Sequence, residues 1–256
     1  MNNTTQIKVL TAAALLVFSV SLTAHAVSVT TGASEMNQQQ TISDTLSARQ
    51  QAIPLIASYM ASSQMGKLNA ALNQGLDAGL TVNEAKEILV QLYAYTGFPR
   101  SLNALNELMK VVNERKQRGI NDAQGKEPVS PIPVGDELRR VGTANQTKIS
   151  GAPVQGPVFE FAPVINQFLQ THLFGDIFAR DNLDWQSREL ATVGALAATP
   201  GVEAQLLSHT RASLRVGLTA EQLRQLAQIL RNRVKAMLRL GLKRHCNKRW
   251  LLQSKQ

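Results

Sequence analysis

Apolar positions along this chain recur every third or fourth residue and almost never alternate, which is the period of helices and not of strands. Between Asp44 and Ala61 the residues Leu46, Ile53, Leu55, Ile56, Tyr59 and Met60 share one helical face. Pro54 falls inside that stretch, where it kinks the helix or marks its first turn. From Gln64 to Ala78 the pattern resumes with Met65, Leu68, Ala71, Leu72 and Leu76. Gly79 then suits a left-handed stop, and Thr81 with Glu84 forms a capping box for the next helix. That helix runs to about Tyr95, with Ile88, Leu89, Leu92 and Tyr95 on one side. Thr96-Gly97-Phe98-Pro99 breaks it. Residues 100–118 take the pattern up again through Leu102, Leu105, Leu108, Met109 and Val112.

Gly119 to Pro157 differs in kind: five prolines, six glycines and few large apolar residues read as an extended interdomain linker. Phe159 to Phe178 is an apolar helix or helix pair with a break expected near Gly175-Asp176. Asp184 caps a helix over 185–198, Thr199-Pro200-Gly201 turns, and Val202 to Val216 is the next helix. Gly217-Leu218-Thr219, with Gln222 three residues after the threonine, then repeats the punctuation of residues 79–84 at an offset of 138. At that offset Leu76 meets Leu214, Ile88 meets Leu226 and Leu92 meets Leu230. The expected architecture is all-α and internally duplicated. Its first repeat spans 44–118, its linker 119–157 and its second repeat 158–230, with a basic segment over 231–256.

The ends add two expectations. Lys8, the apolar run Val9 to Val20 and Ala24-His25-Ala26 compose a signal peptide over 1–26, followed by a flexible polar lead-in over 27–43. The mature chain is then periplasmic or secreted. The net charge of +9 is local: residues 222–256 carry ten Lys or Arg and no acid. Setting those ten and Lys8 aside leaves 16 of the 27 basic residues against all 18 acids, a net of −2 for residues 27–221. A near-neutral body argues against a nucleic-acid partner. The basic end reads as a solvated tail, or as a basic amphipathic helix with Val234, Met237, Leu238 and Leu242 on one face, able to touch a membrane surface. The single cysteine, Cys246, excludes an internal disulfide framework and any Cys-x-x-Cys redox pair.

Candidate chemistry concentrates in Leu183 to Glu221. Arg188 and Glu189 open one helix, Glu203 opens the next, and His209 follows six residues later. Histidine titrates near pH 6.5 when unperturbed, so with a carboxylate on its other nitrogen it can pass protons at neutral pH. Arg188 is placed to hold an anion or to pair with a carboxylate. The competing reading is a helix-face histidine among solvated charges. Two carboxylates and one histidine are also a partial metal set, but no second histidine lies at ligand spacing, and no metal is expected. In the first repeat the equivalent positions are Gln50, Gln51 and Ala71, so only the second repeat keeps ionisable groups.

With these residues the sequence resembles the carboxymuconolactone decarboxylase family of the alkylhydroperoxidase D-like superfamily. The resemblance rests on GLDAGLTVNEAKEILVQLYAYTGFPRSLNAL at 75–105 and on LDWQSRELATVGALAATPGVEAQLLSHTRASLRVGLTAEQL at 183–223. It is similar to the tandem, secreted branch. The resemblance implies an all-α fold assembled as a trimer or hexamer, and proton-moving lyase chemistry on a small molecule without a cofactor. It also implies that Glu189, His209 and Glu203 are catalytic and that Arg188, Arg100 and Gln205 hold the substrate. The superfamily's peroxidase branch uses a cysteine pair whose positions here are Val202 and Gln205, which excludes dithiol peroxidase chemistry. Gly97-Phe98-Pro99-Arg100 matches the family's Gly-x-Pro turn, which has no counterpart near Lys235. From about Arg231 the sequence leaves the family pattern, as a divergent or frame-shifted end would. A non-catalytic helical scaffold is the alternative from another class, and a peroxiredoxin-like hydroperoxidase, disfavoured by the missing Cys-x-x-Cys, is a weaker one.

Overall fold

The computed structural model describes residues 44–232, and among them every regular element is helical. The proposed signal peptide, the lead-in and nearly all of the basic segment lie outside the described residues. The helices are α1 Ala48–Ala61, α2 Met65–Asp77, α3 Val82–Gln91, α4 Tyr93–Thr96 and α5 Phe98–Gln117. Then come α6 Gly135–Ser150, α7 Pro157–Phe161 and α8 Pro163–Phe168. A π-helical segment, Leu169–Ile177, leads to α9 Trp185–Leu196 and α10 Glu203–Arg215. A last helix, α11, covers 220–232 as far as the chain is described. No helix among the described residues is long and apolar enough to cross a membrane.

The start signals read from the sequence act as drawn. The hydroxyl of Thr81 accepts from the backbone N–H of Glu84, and the Glu84 carboxylate accepts from that of Thr81. Gly79 adopts φ +92°, and Leu80 N–H reaches back to the carbonyl of Gly75. The same geometry recurs downstream: Gly217 has φ +101°, Leu218 N–H reaches Ser213, and Thr219 and Gln222 exchange cap bonds. The bounds of α10 are those of α2 shifted by 138 residues, and α11 begins 138 residues after α3. Asp184 caps α9 by accepting from Ser187 N–H at 2.7 Å.

Two expectations on the middle of the chain change. Residues 119–157 are not an extended linker throughout: α6 occupies 135–150. The prolines that suggested a linker stand at 128, 131, 133, 153 and 157, outside the helix. Within it, Leu138, Gly142, Gln146 and Ile149 follow a helical period. The break expected at Gly175-Asp176 lies instead at Ala162, just ahead of Pro163. Pro163 has no N–H to continue α7 but suits the first turn of α8. Gly175 stays inside the π-helical segment.

Two cores result. The larger joins α1, α2, α3, α5, α9 and α11 around Ile53, Ile56, Met60, Leu72, Ile88, Leu92, Leu190 and Leu226. Here α1 lies against α9 so closely that a Cβ on Gly194 would meet Cα and O of Pro54 at 2.6 Å. The smaller core joins α6, the π-helical segment and α10 through Ile149, Leu173, Phe174, Ile177, Phe178 and Ala212. Tyr95 packs against both cores.

Candidate active site

Helix α9 is buried without interruption from Ser187 to Leu196, which carries Glu189 into the interior with 0 % of its side chain exposed. Helix α10 passes beside it and brings His209 to the same depth on one edge, with 15 % of its side chain exposed. His209 Nδ1 and Glu189 Oε2 are 2.9 Å apart. A carboxylate only accepts, so Nδ1 carries the proton and Nε2 is the ring nitrogen left for other work. The second carboxylate oxygen, Oε1, is buried without a hydrogen-bond partner. Such an orphan costs about 1–3 kcal/mol, and its persistence asks for a bridging water, a ligand or a catalytic use.

Tyr95, from α4, stands edge-on to the imidazole, with ring centroids 5.3 Å apart at 81°. Its hydroxyl is also buried without a partner. Burial first, and then the charge of Glu189, push the phenol far above its ordinary range, so Tyr95 keeps its proton at any physiological pH. The sequence pattern placed Tyr95 on an apolar helix face and gave it no chemical role. The available signal was its position two residues ahead of Gly97 in the Gly-x-Pro turn.

His209 and Tyr95 line a cavity of about 530 Å³. One wall is α10, which presents Gln205, Ser208, His209 and Ala212 on one face; the facing wall is α6, with Gln146, Ile149 and Ser150. Val158, Ile165, Leu173 and Phe174 enclose the rest. Most of this enclosure comes from the stretch read as linker and from the apolar run after it. Those residues were legible as apolar, but not as a pocket wall.

The remaining sequence candidates go to different places. Gln205 lines the cavity beside His209. Glu203 is exposed at the start of α10, where its carboxylate accepts from Gly201 N–H at 3.1 Å. Arg100 is exposed on the first turn of α5 and donates to the carbonyl of Thr96 at 3.0 Å. Neither lines the cavity. Arg188 does not face it either: adjacent helical residues point about 100° apart, so the side chain beside Glu189 takes another direction. It is 0 % exposed and donates to Glu87 Oε1 at 3.0 Å, Gln91 Oε1 at 2.9 Å and the Arg180 carbonyl at 2.9 Å. Burial pulls its guanidinium down from the usual value, and Glu87 opposes that. Arg180 completes the network by donating to Glu87 at 2.9 Å. Arg188 thus ties α9 to α3, and its expected contact with substrate is replaced by a contact between helices.

No curated protein matches the chain. The model of the carboxymuconolactone decarboxylase family matches residues 163–231, from the first residue of α8 into α11. That span contains Glu189, Glu203, Gln205 and His209, whereas Tyr95, Arg100 and the α6 wall lie before it. By that match the segment 163–231 is similar to the carboxymuconolactone decarboxylase family.

Proposed function

We propose that this protein is a cofactor-independent lyase of the carboxymuconolactone decarboxylase type, in which Glu189 and His209 move a proton on a small carbonyl-bearing substrate. The observation that carries the reading is the 2.9 Å contact between a fully buried carboxylate and an imidazole that also lines a cavity. Glu189 fixes the tautomer and stabilises the imidazolium, while Tyr95 fixes the plane of the ring. In a decarboxylation the carbon–carboxylate bond breaks and carbon dioxide leaves. The electron pair is held on the substrate carbonyl as an enolate; His209 Nε2 takes the proton of the substrate's carboxylic acid as that group is lost, and the imidazolium returns it to carbon to close the new C–H bond. Gln205 and Ser208, which line the cavity with His209, are the groups proposed to contact that carbonyl oxygen. Glu203, Arg188 and Arg100 are given no step.

Two further parts of the reading concern the whole chain. Export is supported by the pattern of residues 1–26, and a homo-oligomer, a trimer or hexamer, by apolar side chains left in the open. Phe161 is 91 % exposed, Phe168 58 % and Leu207 53 %. The 138-residue recurrence of helices and caps supports descent of the two halves from one repeat, with the first retained as framework.

The test is an assay of carbon dioxide release from lactone acids with the wild type, His209→Ala and Glu189→Gln. Loss of one proton-transfer group lowers kcat by about 10²–10⁴-fold. Wild-type turnover that survives His209→Ala undiminished rejects the relay. No wild-type turnover on any lactone acid favours a helical scaffold.

A further inference from the structure

Resting on the proton-relay reading of the same site, we propose that the substrate, apart from the group that reacts, is uncharged: an apolar body carrying one neutral carbonyl-type head beside His209. Among the described residues the cavity is lined by no Lys, Arg, Asp or Glu. Three cations on neighbouring helices have contacts of their own. Lys148 of α6 lies over the ring of Trp185 at 4.7 Å. Arg215 of α10 reaches the Ile149 carbonyl at 3.5 Å, and Arg188 of α9 is spent on Glu87. A permanent anion that enters this half-open pocket gives up part of its hydration, with no guanidinium or ammonium in the described lining to replace it.

The neutral polar groups are distributed unevenly. Gln205, Ser208 and His209 stand on one face of α10, and Gln146 and Ser150 face them from α6. Val158, Ile165, Leu169, Leu173 and Phe174 fill the remainder. This is a pocket with a polar edge and an apolar floor, and its volume is that of a small drug-like molecule. A dicarboxylate of which only one carboxylate leaves would strand the other against that floor.

Paired fluorescent probes that share one ring system test this. N-phenyl-1-naphthylamine is neutral, and 8-anilinonaphthalene-1-sulfonate adds a sulfonate that cannot leave. Each is titrated into the full chain, and into Ala204→Phe and Ser208→Phe, two exposed lining positions where a ring intrudes on the space. Circular dichroism confirms that both variants keep their helices. The neutral probe should saturate and bind at least tenfold more tightly than the sulfonate, and at least one variant should abolish its signal. Equal or tighter sulfonate binding that the same variants block overturns the proposal. So does neutral binding that neither variant affects, or no saturable binding at all. Probe binding and carbon dioxide release are separate readouts on the wild-type chain, so failure of the relay and failure of the substrate class give different results.

Discussion

At the scale of single residues the site is a contest between burial and charge. Glu189 is fully buried with one oxygen on His209 and the other orphaned, beside a tyrosine hydroxyl that is orphaned too. Burial, and after it the charge of Glu189, disfavour the phenolate, which is why Tyr95 holds its proton so firmly. The consequence for stability has a definite sign. A tyrosine in the unfolded chain titrates near pH 10. Below that pH both states are protonated and the contribution is fully present. Above it the unfolded chain releases a proton that the fold retains, so stability falls by about 1.4 kcal/mol per pH unit. Tyr95→Phe should remove that increment from the slope between pH 10 and 11, measured by urea unfolding. Identical slopes for the two proteins would mean that the phenol ionises in place. Residue type and spacing left the pairing of Glu189 with His209 open beside a helix-face histidine, and the family resemblance singled it out. Arg188 was misleading because the same composition serves a buried ion pair and an anion site, and only the direction of its side chain separates them.

At the scale of elements, the punctuation was legible and the packing was not. Thr and Asp caps set the starts of α3 and α9, and Gly79 and Gly217 follow the ends of α2 and α10, but the helix expected to run to Tyr95 breaks at Leu92 into α3 and α4. Helix α6 was hidden because prolines and glycines flank it, and its burial depends on a segment that arrives later in the chain. That contact is close: a Cβ on Gly142 would lie 1.7 Å from the carbonyl oxygen of Gln170. Gly142→Ala should therefore force α6 off the π-helical segment and lower stability by about 1–3 kcal/mol in urea denaturation, as overpacking does. Gly66→Ala, in α2 where an added Cβ meets nothing within 4 Å, is the control and should stabilise slightly. Destabilisation of both variants alike would show that close approach is not the cause. A weaker Gly142 variant should also disturb the cavity, since Gln146 and Ile149 are carried on the same helix.

At the scale of the whole molecule, the proposed assembly makes a prediction about the exposed apolar residues. Leu207 and Leu214 are seven residues apart on the outer side of α10, and Phe161 and Phe168 stand on α7 and α8. A second copy of the chain is the expected cover, in a trimer or hexamer. Native mass spectrometry of exported protein reads both assembly and processing. It should give subunits that begin at Val27, in multiples of three. Monomers at micromolar concentration would count against the assembly, and an intact Met1 against cleavage after Ala26.

The position of Tyr95 sets a practical limit on any trimmed version of this protein. A fragment cut to the family match, residues 163–231, would keep the acid and the imidazole but discard the aromatic roof and one side of the chamber. Water would reach the dyad from the open flank. The residues before 163 thus complete the surroundings of the dyad, and transplanting the cavity into another framework requires carrying both.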